Sequence, residues 1–403
     1  MTRTDEANVI VAGTGPVGLI AALAFARNGF AVTLIGPDVS GKDRRTTALM
    51  IPALRFLDGL GVLGTLEPRA APLRIMRIID ATRRLIRSPV VTFHASEIGE
   101  PLFGLNIPNS ELNATLAGAV SENAGITWRQ SFVESWQFDA DDVSAVLSDG
   151  TGISAKLAVA ADGRASPARE AAGISTTTHA YPQAALVINF GHSRSHANTS
   201  TEFHTETGPF TQVPLPGHRS SLVWVVEPET AEQLAALDDE ALSARVEERM
   251  QSMLGRVTVE PGRQVYPLSA TLPKRFAQNR IALVGEAAHV FPPIGAQGLN
   301  LGIRDVQQLI EIVSRHNSDP GAVEALAAYD VKRRPDILAR SGAVSLLNQS
   351  LLSNIIPAQL LRSAGLSILG SIAPLRTLFM REGLHPGSGF SSFASSLREQ
   401  IRR

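Results

Sequence analysis

The sequence predicts a mixed α/β (α+β) chain of more than one domain: a parallel-sheet domain, an inserted and mainly antiparallel β-sheet domain, and a helical C-terminal region. Three observations predict it. Short apolar strands end in glycine turns at three widely separated places, after residues 12, 161 and 284. Between residues 184 and 226, strand-like segments alternate with Pro and Gly breaks. After Ala327 the chain reads as long helices. Its 403 residues exceed what one small core needs.

The first glycine turn is the most informative. Val9, Ile10, Val11 and Ala12 form a short buried-strand pattern, then come Gly13-Thr14-Gly15-Pro16-Val17-Gly18 and the helical run 19–26. Gly29 sits where a helix ends, and residues 30–35 form a second strand. Strand, GxGxxG, helix and strand together are the Rossmann-like dinucleotide context. Gly13 permits the tight turn, Gly15 lets the backbone approach a pyrophosphate, and Gly18 lets helix and strand pack closely. The helix N-terminus turns free N–H groups and a positive dipole end toward that pyrophosphate. Pro16 fits the helix start because its missing N–H has no partner there anyway. The acidic residue expected on an adenosine ribose falls to Asp38, twenty positions after Gly18; a plain loop turn after Pro37 explains Asp38 equally well. The motif serves NAD, NADP and FAD alike, so it does not choose between them.

Residues 156–161 form another apolar strand, ending in Asp162-Gly163-Arg164-Ala165-Ser166 and a helical run from Ala168 to Ala172. Alone this is a common turn. Downstream, residues 280–284 are a strand followed by Gly285-Glu286-Ala287-Ala288-His289-Val290-Phe291-Pro292-Pro293-Ile294-Gly295-Ala296-Gln297-Gly298. Leu299 and Asn300 then open a long helix. A glycine- and proline-rich loop between buried strand and helix brings backbone N–H groups to a ligand.

Composition limits the remaining options. Hydrophobic residues are 44% and charged residues 19%, a globular balance. The formal net charge of -1 offers no field to attract nucleic acid, and no basic-aromatic stripe is present, so no nucleic-acid partner is expected. Absence of Cys excludes disulfides, thiolate metal sites and Cys nucleophiles. Neither a signal peptide nor a spanning helix is expected, because the polar start leads straight into the glycine motif and no clean apolar run of 18 residues occurs. His192 and His196 have i, i+4 spacing but sit in loop-like sequence, so no metal site is expected.

The three motifs, in this order and at similar spacing, resemble those of the flavoprotein aromatic hydroxylases of the para-hydroxybenzoate hydroxylase class. Within that class the chain is most similar to the ubiquinone-biosynthesis hydroxylases. The stretches that carry this are residues 43–49, 103–112, 208–216 and 221–224, so the similarity spans most of residues 8 to 310. The resemblance implies an FAD-dependent monooxygenase that uses NADH or NADPH and O2 to hydroxylate an aromatic ring, with a polyprenylated phenol as the favoured substrate. It implies cofactor-binding roles for Gly13, Gly15, Pro16, Gly18, Asp38, Arg45, Asp162, Gly163, Gly285, Glu286, Gly298, Leu299 and Asn300. Arg45 matches the arginine that faces the flavin. Glu286 stands where the family has Asp or Asn, one methylene longer toward the ribityl chain. The helix starting at Gly298 points its dipole at the charge of reduced flavin. Pro292 and Pro293 wall the ring and exclude water, and with His289 they are the candidate catalytic residues, His289 reading more readily as a structural imidazole.

The expected division is a discontinuous FAD-binding domain (1–72, 100–180 and 265–325), a substrate-binding β-sheet domain (73–99 and 181–264) and a helical C-terminal region (326–403). Helices are expected over residues 327–347 and 349–379, the second with an apolar face that suits core packing or a membrane surface. The expected location is cytoplasmic, with peripheral contact at the inner face of the cytoplasmic membrane as the arrangement a polyprenyl tail favours. Competing readings are a hydroxylase of a small soluble aromatic, a reductase of an isoprenoid chain, and a non-catalytic dinucleotide-binding protein.

Overall fold

In the computed structural model, residues 4–39, 43–83, 87–293, 297–352, 376–378, 380 and 381 are described. The chain opens with strand β1 (Thr4–Ala12), helix α1 (Pro16–Arg27) and strand β2 (Val32–Ile35). Strands β3 (Thr46–Met50) and β4 (Ile75–Asp80) follow, and then β5 (Gly152–Ala160). Four long strands come next: β6 (Thr176–His192), β7 (Thr199–His204), β8 (Pro209–Leu215) and β9 (Arg219–Val226). The chain continues through β10 (Gln264–Pro273), β11 (Ile281–Leu283), α2 (Gly298–Val313) and α3 (Val323–Leu352).

The first sheet runs β11-β5-β1-β2 and then Ile126–Arg129, with all these neighbours parallel. Such strands are buried on both faces and read as continuous apolar runs. Val9, Ile10, Val11, Leu34, Leu157, Val159, Ile281 and Leu283 accordingly lie in one core with Leu19, Ile20 and Phe25 of α1. Register brings Ala12, Ile35, Ala160 and Leu283 level with one another. The three glycine turns therefore leave the sheet side by side, at the carboxyl ends of parallel strands, where open α/β sheets bind ligands.

In the second sheet the order is Val257–Val259, β6, β9, β8, β7, β4 and Val91–His94, with β10 also paired to β6. Every pair is antiparallel except β7 with β4. Alternation gives each strand two faces. One face, with Leu186, Ile188, Phe190, Phe203, Phe210, Leu222 and Trp224, packs on Ala231, Leu234, Leu242 and Val246 of the helices Pro228–Ala236 and Asp239–Arg249. Phe210 stands edge-on to Phe203 and Trp224 at 5.6 and 5.1 Å. The strand expected over 184–190 is longer, because β6 pairs successively with β10, β9 and Val257–Val259.

The helical region departs from expectation at one point. α3 continues through residue 348 to Leu352, where a break was expected. No Gly or Pro occurs between Gly342 and Leu352, so nothing in the backbone stops it. The second expected helix, 349–379, lies largely outside the described residues. No described helix is long and apolar enough to cross a membrane.

Phe210 is fully buried at the centre of the second sheet's helix-side core. Phe210→Ala should cost about 3–5 kcal/mol, read as a large drop in the denaturant midpoint. A loss near zero would mean that this face is not the packed core described.

Candidate active site

At the first turn, Gly13 has φ +110, and a Cβ there would lie 2.2 Å from the Ala161 carbonyl oxygen. A Cβ on Gly18 would lie 1.9 Å from the Gly13 oxygen and 3.3 Å from the Ala161 Cβ. The first and second motifs therefore meet backbone to backbone. Gly15 differs, since it is exposed and a Cβ there meets nothing within 4 Å. It forms the N-cap of α1, with no side-chain cap and Pro16 in the first turn. Val17, on the same helix, reaches the third motif: Cβ atoms on Gly285 and Gly302 would lie 3.0 and 2.6 Å from its Cγ2.

Asp162 and Gly163 serve their own turn. The Asp162 carboxylate accepts from Ser166 Oγ (2.6 Å) and from the Ala168 N–H (2.9 Å), holding the start of helix Pro167–Ala171. Burial pushes its carboxyl above the ordinary range. Gly163 has φ +87, a conformation that favours glycine. Arg169, absent from the expected residues, locks this turn to the third motif: its guanidinium donates to the Ala287 carbonyl (2.9 Å) and to the Arg164 and Ala165 carbonyls.

The third loop hangs on a buried charge network. Asp305 of α2 is fully buried and accepts from the Gly285 N–H (2.9 Å), His289 Nε2 (2.7 Å) and Arg333 Nε of α3 (2.7 Å), and Arg333 Nη2 completes an ion pair with it at 2.6 Å. Arg333 is itself fully buried and also donates to Asp336 at 2.8 Å. Tyr329 donates to the Leu283 carbonyl at 2.8 Å. Burial alone would raise the Asp305 pKa, but His289 and Arg333 outweigh it and hold the carboxyl low. Burial likewise opposes ionisation of Asp336, yet Arg333, Arg340 and Arg304 push it down to about 2. His289 is buried in this network. Beyond it, Val290 bridges to Thr271 of β10 by two backbone bonds of 3.0 Å. Pro292 is buried and Pro293 exposed, while Glu286 is exposed at the loop's rim.

Helix α2 begins at Gly298 with no side-chain cap and no acidic residue in its first turn. Its Leu299 is half-buried, and Asn300 clamps β3, donating to the Ala48 carbonyl and accepting from the Met50 N–H, both at 2.8 Å. Two uncapped helix starts, α1 and α2, are thus drawn to one cleft through Val17, Gly285 and Gly302. Each leaves backbone N–H groups without helical acceptors. That arrangement, with open space before Gly15, fits a dinucleotide's anionic groups.

Arg45 lies across the cleft. It grips Asp43 with two bonds (2.9 and 2.7 Å) and sits 5.9 Å from the Tyr266 ring centre, within electrostatic reach of Glu286. Burial opposes ionisation of Asp43, but Arg45 and Asn109 hold its carboxyl below the usual range. Asp38 is exposed and accepts from the Val39 N–H; the preceding Pro37 carbonyl accepts from Thr14 of the glycine turn at 2.8 Å. His192 and His196 bond to Ser220 and to the carbonyls of Arg194 and Leu215, and no metal-ligand cluster occurs among the described residues.

The second sheet's other face turns toward this cleft. Ser221 bonds Thr46 at 2.9 Å, Asn189 donates to the Arg44 carbonyl, and Tyr266 sits by Arg45. On the same face, Val187 and Val223 follow Asn189 and Ser221 and are only partly buried; they pack, with Tyr181, on the buried Ala185, Val225 and Leu268. Asp305, Arg333, Arg169 and Tyr266 lay beyond sequence reasoning, since none has a local motif.

Comparison with known proteins bears on this geometry. The family described as FAD binding domain matches residues 6–339. Ubiquinone hydroxylase UbiL of Rhodospirillum rubrum is 34% identical over 388 residues, covering 94% of this chain and 89% of that protein. The 3-demethoxyubiquinol 3-hydroxylase of Escherichia coli is 30% identical over 371 residues, covering 89% of this chain and 93% of that protein. Among solved structures, p-nitrophenol 4-monooxygenase PnpA of Pseudomonas putida superposes with TM-score 0.78 at 20% identity, covering 96% of this chain and 98% of that one; it shares the fold.

The Asp305 network generates a pH dependence. A carboxyl depressed in the folded state stabilises fully above its unfolded value, about 4, and that stabilisation is lost as pH falls through the lower folded value. Melting temperature should therefore drop steeply between about pH 4 and 2, the lower limit set by Asp336. Asp305→Asn should be destabilised at neutral pH by about 3–5 kcal/mol and show a flatter acid limb. An unchanged acid limb in that variant would remove Asp305 from this role.

Proposed function

The chain belongs to the FAD binding domain family and is an FAD-dependent monooxygenase of the ubiquinone hydroxylase group, and from this we propose that it hydroxylates the ring of a polyprenylated phenol on the way to ubiquinone. The observation that carries the substrate reading is the half-buried pair Val187 and Val223, beside Asn189 and Ser221 on the sheet face that bonds Arg44 and Thr46, an apolar surface that suits a ring with a hydrocarbon tail.

Bound FAD supplies the acceptor for hydride from NADH or NADPH and the centre at which O2 is activated. The chain's residues bind and orient. In this proposal Gly13, Gly15, Pro16 and Gly18 bring the α1 N-terminus to the pyrophosphate, and Asp38 receives the adenosine ribose. Asp162 and Gly163 shape the second wall. Gly285 and Glu286 receive the ribityl chain, and Arg45 faces the flavin from across the cleft. The N–H groups at Gly298, Leu299 and Asn300 oppose negative charge on the reduced ring. Pro292 and Pro293 limit water there. His289, a catalytic candidate on sequence, is assigned a positioning role instead: its Nε2 is bonded to Asp305, and it anchors the loop. Cytoplasmic placement, with peripheral membrane contact through the C-terminal helices, completes the proposal.

The test supplies the purified protein with a 2-polyprenylphenol, NADH or NADPH, and isotopically labelled O2. One labelled oxygen in a ring-hydroxylated product is expected. Turnover of small soluble phenols but not of the polyprenylated one would overturn the substrate reading. A separate variant tests the cofactor reading. Gly15→Val adds a side chain where no protein atom stands within 4 Å, so the flavin-free protein should lose no more than the cap preference of α1, about 1 kcal/mol. Its visible flavin absorbance should nevertheless be lost. Stoichiometric flavin in that variant would argue against the pyrophosphate assignment.

A further inference from the structure

We propose that Glu202 is the acceptor that receives the substrate's ring hydroxyl, with His204 holding its carboxylate in place. This rests on the hydroxylase reading above and names the polar contact that orients the ring.

Strand alternation places the pair. Phe203 of β7 belongs to the helix-side core, edge-on to Phe210. Glu202 and His204, its neighbours on either side, therefore project from the opposite face. That is the face carrying Thr211, Val223 and Ser221 on β8 and β9, since Glu202 pairs with Thr211 and Thr211 with Val223. Ser221 is bonded to Thr46 beside the cofactor cleft. Glu202 thus lies on the substrate side of the sheet, two strands from Val223, or about 10 Å. A substituted ring seated over Thr211 and Val223 spans that gap.

A carboxylate on an apolar sheet face costs several kcal/mol unless it is paired. His204 pairs it: Nε2 lies 2.9 Å from Glu202 Oε1, and the imidazole side chain is 4% exposed. The Glu202 side chain keeps 19% exposure, and its other oxygen has only a long 3.4 Å contact with Thr211 Oγ1. One oxygen is therefore anchored while the other is left for a donor. Burial by itself would raise the carboxyl's pKa, but His204 and Thr211 hold it low, so the acceptor is charged at neutral pH. The charged groups of the neighbouring strands are engaged elsewhere. Asp80 of β4 accepts from Thr82 and the Ser88 N–H, and Arg77 turns to Met253 on the helix side. β8 carries no ionisable side chain.

A hydroxyl bonded to a carboxylate is a strong, directional contact. It fixes which ring carbon faces the cofactor and draws the O–H electrons toward the ring, without requiring proton transfer. A substrate without that hydrogen forfeits both.

The experiment pairs Glu202→Gln with a substrate change. Binding of a 2-prenylphenol and of its O-methyl ether is measured by perturbation of the flavin spectrum in the FAD-loaded protein, alongside product formed per NAD(P)H consumed. Wild type should prefer the phenol by roughly 10- to 100-fold, the range for a hydrogen bond to a charged group. Glu202→Gln should lose most of that preference and form correspondingly less product, with flavin content unchanged. Glu202→Asp, which keeps the charge, should retain part of the preference and covers the case in which the amide variant folds poorly. Equal discrimination in wild type and Glu202→Gln overturns the inference. If wild type neither binds nor hydroxylates the phenol, the substrate reading above fails instead.

Discussion

Close backbone approach at glycine is the constraint on which the rest of this molecule depends. Gly13 meets the Ala161 backbone and Gly18 the Gly13 backbone at distances no Cβ tolerates, while Gly302 packs against the Val17 side chain and the Gly285 backbone. The parallel register supplies the coarse alignment by bringing Ala12, Ala160 and Leu283 level. The missing side chains then allow three turns to close on one another, with the uncapped starts of α1 and α2 presenting their N–H dipoles to the shared cleft. Binding energy for an anionic ligand comes from those aligned dipoles rather than from a positive surface, in keeping with a chain of net charge -1.

The third turn needs more than glycine. Its loop is long and rich in Pro and Gly, and its described residues have little helix or strand of their own, so their backbone groups must find partners elsewhere. Asp305 satisfies the Gly285 N–H and fixes His289, and Arg333 compensates the buried charge. A buried ion pair is weak evidence for net stability, because desolvation offsets much of the attraction. Its consequence here is positional: it ties the loop to α2 and to the part of α3 around Arg333. Arg169 does the same for the second turn.

Much of this was legible in the sequence. The three turns could be read because glycine spacing, apolar strands and helix starts are local signals, and their order narrowed the ligand where a single GxGxxG could not. Asp305, Arg333 and Arg169 could not be read, because each acts by reaching a partner on another element, Asp305 the loop before its helix, Arg333 Asp305 itself and Arg169 the Ala287 carbonyl. Glu202 and His204 were invisible for a different reason. Their facing follows from strand parity, and parity becomes informative only once Phe203 is known to point at the helices. His289 shows the limit of motif reasoning: the motif marks it as important, but its bond to Asp305 is what makes it an anchor.

Hydrogen exchange during FAD titration of the flavin-free protein tests the central claim most directly. If three distant turns enclose one nucleotide, amides in 13–18, 162–168 and 285–300 should gain protection together, with a common midpoint near one FAD per chain. Protection confined to one turn, or separate midpoints for the three, would contradict it.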